Sequence, residues 1–100
     1  RESTLELPAD FDLEQNYPNP FNDRTRIAFT LSRAVQMELA VYDLRGRRQV
    51  TLAGGRMESG RHQVSWNGMD ASGLPLCSGV YFYSLSSGKR RLTRKLLLLE

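Results

Sequence analysis

The sequence predicts an all-β fold, an antiparallel sandwich or barrel of about seven strands, on three observations. Turn-forming pairs recur about every ten residues: Pro18-Asn19-Pro20, Arg45-Gly46, Gly54-Gly55, Ser59-Gly60, Asn67-Gly68, Ser72-Gly73, Ser78-Gly79 and Ser87-Gly88. Between them apolar residues alternate with polar ones, the period of a strand with one face buried. No stretch sustains a helical period.

A short first strand falls near Phe11–Gln15. The run Asn16-Tyr17-Pro18-Asn19-Pro20-Phe21-Asn22 follows, and its alternate prolines forbid both helix and central strand. It reads as a stiff corner that plants Tyr17 and Phe21. Ile27, Phe29 and Leu31 then share one face, with Ala28 and Thr30 on the other. Val35, Met37, Leu39 and Val41 repeat the pattern, with Gln36 and Glu38 facing away. Arg45-Gly46 reads as a tight hairpin. Val50 and Leu52 mark a short strand ahead of the Gly54-Gly55 turn, and Val64 with Trp66 marks another. Tyr81, Tyr83 and Leu85 line one face of a Gly-opened strand. Ser87-Gly88 joins it to a last strand from about Arg91 to Leu99, in which Leu96 and Leu98 point inward and Leu97 and Leu99 outward.

The 100 residues suit one domain, taken as residues 11–100, preceded by an arm or linker over residues 1–10. The opening Arg1-Glu2-Ser3 reads as a piece of a longer protein. The longest apolar run, Leu96 to Leu99, is far too short for a membrane-spanning helix. With Cys77 alone, no internal disulfide forms, and Cys77 itself is expected as a small buried filler. Fourteen basic residues stand against eleven acidic, and they are segregated. Glu2, Glu6, Asp10, Asp12 and Glu14 load the start, whereas Lys89, Arg90, Arg91, Arg94 and Lys95 load the end. If first and last strands pair, these segments lie side by side and partly neutralise each other.

Catalytic chemistry finds little to work with. His62 is the single histidine, without an acid or nucleophile tied to it by spacing. Asp70-Ala71-Ser72-Gly73 is more simply an Asx-turn than a Ca²⁺ loop, since few further oxygen ligands accompany it. Hence no catalytic residue, metal or cofactor is expected. The basic cluster Lys89–Lys95 has no aromatic interleaved in sequence, which argues against nucleic acid. Tyr17, Phe21, Trp66, Tyr81 and Tyr83 are expected in the core, with a carbohydrate-stacking face as the alternative.

The motifs together carry a resemblance. Asn16 to Asn22, Val41-Tyr42-Asp43-Leu44-Arg45-Gly46-Arg47, His62-Gln63-Val64-Ser65-Trp66-Asn67-Gly68, Asp70-Ala71-Ser72-Gly73-Leu74-Pro75 and Ser78-Gly79-Val80-Tyr81-Phe82-Tyr83 occur in order over Phe11 to Glu100. This arrangement resembles the C-terminal sorting domain of type IX secretion substrates, which is similar to the immunoglobulin-like domain of the flagellar hook-capping protein. The resemblance implies an immunoglobulin-like antiparallel β-sandwich at the C-terminus of a larger secreted or surface protein of a Bacteroidetes-like bacterium. Implied partners are the outer-membrane secretion machinery, a sortase-like protease and the parent's preceding domain. Such a family closes on a basic residue, an apolar run and a final basic residue. Arg94-Lys95-Leu96-Leu97-Leu98-Leu99 fits the first two parts, whereas this chain ends in Glu100.

The resulting expectation is a non-catalytic module recognised through Arg90, Arg94, Lys95, Leu97 and Leu99, with a partner adding a strand along the exposed leucine edge. A carbohydrate-binding module and a structural spacer are the alternatives.

Overall fold

A computed structural model describes residues 11–99; the expected N-terminal arm lies outside the described residues. Seven strands form two antiparallel sheets: β1 (Phe11–Leu13), β2 (Thr25–Leu31), β3 (Val35–Tyr42), β4 (Arg48–Met57), β5 (Gly60–Trp66), β6 (Gly79–Ser87) and β7 (Arg90–Leu98). One sheet has the order β1-β2-β5 and the other β4-β3-β6-β7. The all-β sandwich is therefore as expected.

The alternation in the sequence becomes the core. Ile27, Phe29 and Leu31 of β2 face Met37, Leu39 and Val41 of β3 and Tyr81, Tyr83 and Leu85 of β6, and all nine are buried. Trp66, Leu96 and Leu98 are buried with them. Each such side chain contributes about 1.5–3 kcal/mol on removal from water. At one end Phe21 wedges between the sheets, its ring centroid 5.6 Å from that of Trp66, while Tyr81 lies 6.4 Å beyond Trp66. Gly68 is required here. Its φ is +79°, and an added Cβ would come within 3.3 Å of the Leu98 side chain.

A buried polar cluster fixes the proline-rich corner. The fully buried Tyr83 hydroxyl donates to the Glu14 carbonyl at 2.7 Å and accepts the Asn16 N–H at 2.8 Å. Asn16 in turn donates to Thr25 Oγ1 at 3.0 Å, and Thr25 Oγ1 donates to the Pro18 carbonyl at 2.8 Å. Asn16, Thr25 and Tyr83 are all buried, where an unpaired partner would be costly.

Several expectations need correction. Gly54-Gly55 is not a turn: β4 runs through it for ten residues, pairing Gly54 with Glu38 and Gly55 with Met37. Register shifts leave Leu52 and Gln49 as bulged residues, so this edge strand bends while β3 still satisfies its backbone. The first and last strands do not pair in one sheet, because β1 is hydrogen-bonded to β2. Glu14 forms its ion pair with Arg61 on β5 rather than with β7. Glu2, Glu6 and Asp10 lie outside the described residues. Cys77 is exposed rather than buried, and Leu76 fills the neighbouring core position. Tyr17 is 78% exposed, because the corner turns its ring outward while Phe21 turns in.

Two outcomes test the buried cluster. Tyr83→Phe leaves the Asn16 N–H without a partner, and chemical denaturation is expected to show a loss of about 1–3 kcal/mol. The second is pH-dependent. Burial pushes the Tyr83 hydroxyl from 10.0 up to about 12. The folded value exceeds the unfolded one, so this contribution is complete below pH ~10 and falls away as pH rises toward ~12. Alkaline melting curves should show that decline in the wild type and lack that component in Tyr83→Phe.

Candidate recognition surface

The last strand has an inward and an outward row, set by its register with β6. Tyr81 pairs with Leu96, Tyr83 with Arg94, Leu85 with Leu92 and Ser87 with Arg90, which puts the even-numbered residues on the inward side. There Leu96 and Leu98 enter the core as expected. Arg94 and Arg90 stay at the margin and hold β1. Arg94 Nε donates to the Leu13 carbonyl at 2.6 Å, and the Arg90 guanidinium lies 5.9 Å from the Phe11 ring centroid. These two arginines brace the first strand against the last across the sandwich.

The odd-numbered residues face outward. Leu97 pairs with Val80 and Lys95 with Phe82, so Lys95 and Leu97 share the outer face with two half-buried apolar side chains of β6. Leu99 lies just past the strand and is 44% exposed. Of the five expected recognition residues, the structure thus groups Lys95, Leu97 and Leu99 outward and sets Arg90 and Arg94 apart as braces.

The same face continues inward across the sheet. Phe82 pairs with Tyr42, and Tyr42 with Arg48, giving one transverse row of Lys95, Phe82, Tyr42 and Arg48. Beside it runs a row of small residues, Thr93, Ser84, Ala40 and Thr51. Ala40 and Ser84 are only 1% and 3% exposed, although no strand of the described residues packs over this face. The Arg91 guanidinium lies 5.9 Å from the Tyr42 ring centroid, and Arg48 approaches the same ring at 5.7 Å. Tyr42, Val80 and Phe82 escaped the sequence reading, since only the cross-strand register puts them beside Lys95. The Gly-Val-Tyr-Phe-Tyr alternation was the available signal.

The backbone edge of β7 is closed where strand addition was expected. The Phe21 N–H donates to the Leu97 carbonyl at 3.1 Å, and the Leu99 N–H donates to the Phe21 carbonyl at 2.8 Å. Asn19 Oδ1 accepts the Leu97 N–H at 2.9 Å, and Gln15 Nε2 donates to the Lys95 carbonyl at 2.8 Å. The corner therefore occupies the edge from Lys95 to Leu99. An added strand has no free ladder there, because these donors and acceptors are already used.

The remaining candidate groups are occupied in structural contacts. His62 Nε2 is 2.8 Å from the Glu58 carbonyl, and its ring stacks on Phe29 at 5.3 Å. Asp70 forms the Asx-turn, accepting the N–H groups of Ser72 and Leu74 at 2.9 and 3.0 Å. Among the described residues no group of three or more His, Cys, Asp or Glu gathers as a metal site. No helix among them is long and apolar enough to cross a membrane.

Fold and topology together define an antiparallel β-sandwich module. Residues 15–99 match the family of secretion system C-terminal sorting domains, and the chain belongs to that family, the sorting domain of type IX secretion. Similar solved structures include dimeric latent PorU from Porphyromonas gingivalis, with a TM-score of 0.69 and 15% identity over 89% of this chain and 9% of that one. PorZ, a surface component of the type IX secretion system of the same bacterium, has a TM-score of 0.59 and 23% identity over 86% of this chain and 11% of that one. FlgD from Xanthomonas campestris, a flagellar hook-capping protein, has a TM-score of 0.58 and 16% identity over 90% of this chain and 62% of that one. The chain thus spans about a tenth of PorU and of PorZ. No curated protein matches it in sequence.

The edge closure has a residue-level signature. Asn19→Ala removes the acceptor for the Leu97 amide, and hydrogen exchange at Leu97 is expected to accelerate by about tenfold. Leu96 and Leu98, whose amides face β6, should keep their protection; equal acceleration at all three would mean that the strand itself had loosened.

Proposed function

We propose that this chain is a non-catalytic module that directs a larger bacterial protein across the outer membrane and holds it at the cell surface. The match over residues 15–99 carries the reading. The recognising partner is the outer-membrane secretion machinery, with a sortase-like protease acting after export. Lys95, Leu97 and Leu99 form the contact surface, supported by their common outward side and by the exposure of Leu99. Arg90 and Arg94 take part by holding β7 in register against β1, supported by the Leu13 and Phe11 contacts. Arg94→Met would then weaken recognition through stability, whereas Lys95→Glu would weaken it at constant stability.

The test is one of location. Residues 1–100 are fused to the C-terminus of an exported fluorescent reporter in a type IX-competent bacterium. The comparison is with Lys95→Glu/Leu97→Asp/Leu99→Glu. Substitution is preferable to deletion of Lys95–Glu100, which would also take Leu96 and Leu98 out of the core. Surface fluorescence that the triple variant loses, with its melting temperature held, is the expected result. Equal surface display of both proteins would remove these residues from recognition, and periplasmic retention of both would remove the sorting role.

One observation favours a second reading, a carbohydrate-binding module. Tyr17 stands 78% exposed beside Arg26, with which it exchanges backbone hydrogen bonds of 2.9 Å. Slower migration in polysaccharide gels, lost in Tyr17→Ala, would establish that activity.

A further inference from the structure

We infer that the outer face of the β3–β6–β7 sheet docks an extended protein segment carrying two carboxylates with an apolar side chain between them. This rests on the proposed recognition role of Lys95 and Leu97, and it names the chemistry of the partner.

Edge pairing is excluded first. The Lys95–Leu99 edge is filled by Gln15, Asn19 and Phe21, so a partner at this end meets side chains rather than an open ladder. The charges on the face then select its sign. Glu38 is neutralised by a bidentate contact with Arg48, at 2.8 and 3.0 Å. Asp43 is satisfied by the N–H groups of Arg45 and Arg47 and by the Arg47 side chain. Arg91 and Lys95 have no carboxylate at ion-pairing distance among the described residues. Both lie on the outward row of β7, four residues apart, which is about 13 Å along a strand. The surface is therefore cationic at two points of fixed spacing.

Thr93 lies between those points on the outward row, and apolar side chains line two recesses beside it. A cavity of about 300 Å³ is lined by Tyr42, Leu44, Phe82, Ser84, Arg91 and Thr93, with Asp43, already held by Arg45 and Arg47, and Gly46 at its rim. A second, also about 300 Å³, is lined by Asn19, Pro20, Val80, Lys95 and Leu97. The Phe82–Lys95 pair separates them. A partner strand laid along β7 with acids at positions i and i+4 matches the two cations, and its residue i+2 then lies over Thr93 and Ser84, at the cavity that Phe82 and Tyr42 also line. Leu44, 69% exposed, extends the apolar floor at the other side. Base stacking fits less well, because Arg48 and Arg91 already crowd the Tyr42 ring. A partner protein that buries Phe82, Leu44 and Leu97 uses both properties of the face.

The probe is an acetylated, amidated heptapeptide with glutamate at its second and sixth positions and leucine at its fourth. It is titrated into ¹⁵N-labelled residues 1–100. Chemical-shift changes are expected at Tyr42, Phe82, Arg91 and Lys95. Affinity should fall by about tenfold for Arg91→Glu/Lys95→Glu and for a peptide with glutamine in place of glutamate. Arg26→Glu, a charge reversal on the opposite sheet, should leave it unchanged. Changes that map to another face, or that persist with the glutamine peptide, would overturn the inference. An equal response to polyglutamate would do the same, since charge alone would then suffice, and so would no response to the heptapeptide. The titration is read without export, so its failure is separate from failure of the sorting role.

Discussion

The structure depends on one hydroxyl. Tyr83 sits at the centre of β6, and its oxygen ties the backbone at Glu14 and Asn16 to the opposite sheet. Those two bonds fix where the chain leaves β1. Asn16 and Thr25 then hold Pro18, and the prolines carry the chain rigidly to Phe21. A phenol is suited to the task, because its ring fills core volume while its oxygen both donates and accepts.

From that anchor the corner does two things at once. Its inward residue, Phe21, plugs the end of the core against Trp66, Gly68 and Leu98. Its backbone and Asn19 cap the free edge of β7. An unprotected apolar last strand invites pairing with any other exposed strand. Here the chain supplies the missing neighbour from residues 15–21. Contacts distant in sequence, between residues 14–21 and 83–99, thus join the two ends of the domain. Loss of the corner would expose both core and edge.

This architecture separates an inward row that packs from an outward row that does not. The inward row of β7 holds the fold, and its outward row is left to Lys95, Leu97 and their β6 neighbours. The fold alone does not define the role, since sandwiches of this shape occur in PorU and in the hook-capping FlgD at 15–16% identity. What sets this chain apart is its family membership over residues 15–99. The basic excess toward the C-terminus finds its place in that division: Arg90 and Arg94 serve the scaffold, while Arg91 and Lys95 face solvent.

Local alternation was enough to reveal seven strands, the inward faces of β2, β3 and β6, and the split between Leu96/Leu98 and Leu97/Leu99. Period-two burial is a property of each strand by itself, which is why it is legible in the chain. The Asx-turn at Asp70 was legible for the same reason, being closed by bonds to residues two and four positions on. Gly54-Gly55 was misleading because glycine's turn preference yields to a neighbouring strand that satisfies its backbone. Tyr17 and Cys77 lie outside because exposure depends on what packs nearby, not on residue type. The capped edge, the role of Tyr83 and the row Lys95–Phe82–Tyr42–Arg48 were decided only by the tertiary structure. Each is a relation between residues far apart in the chain, and cross-strand register alone brings them together.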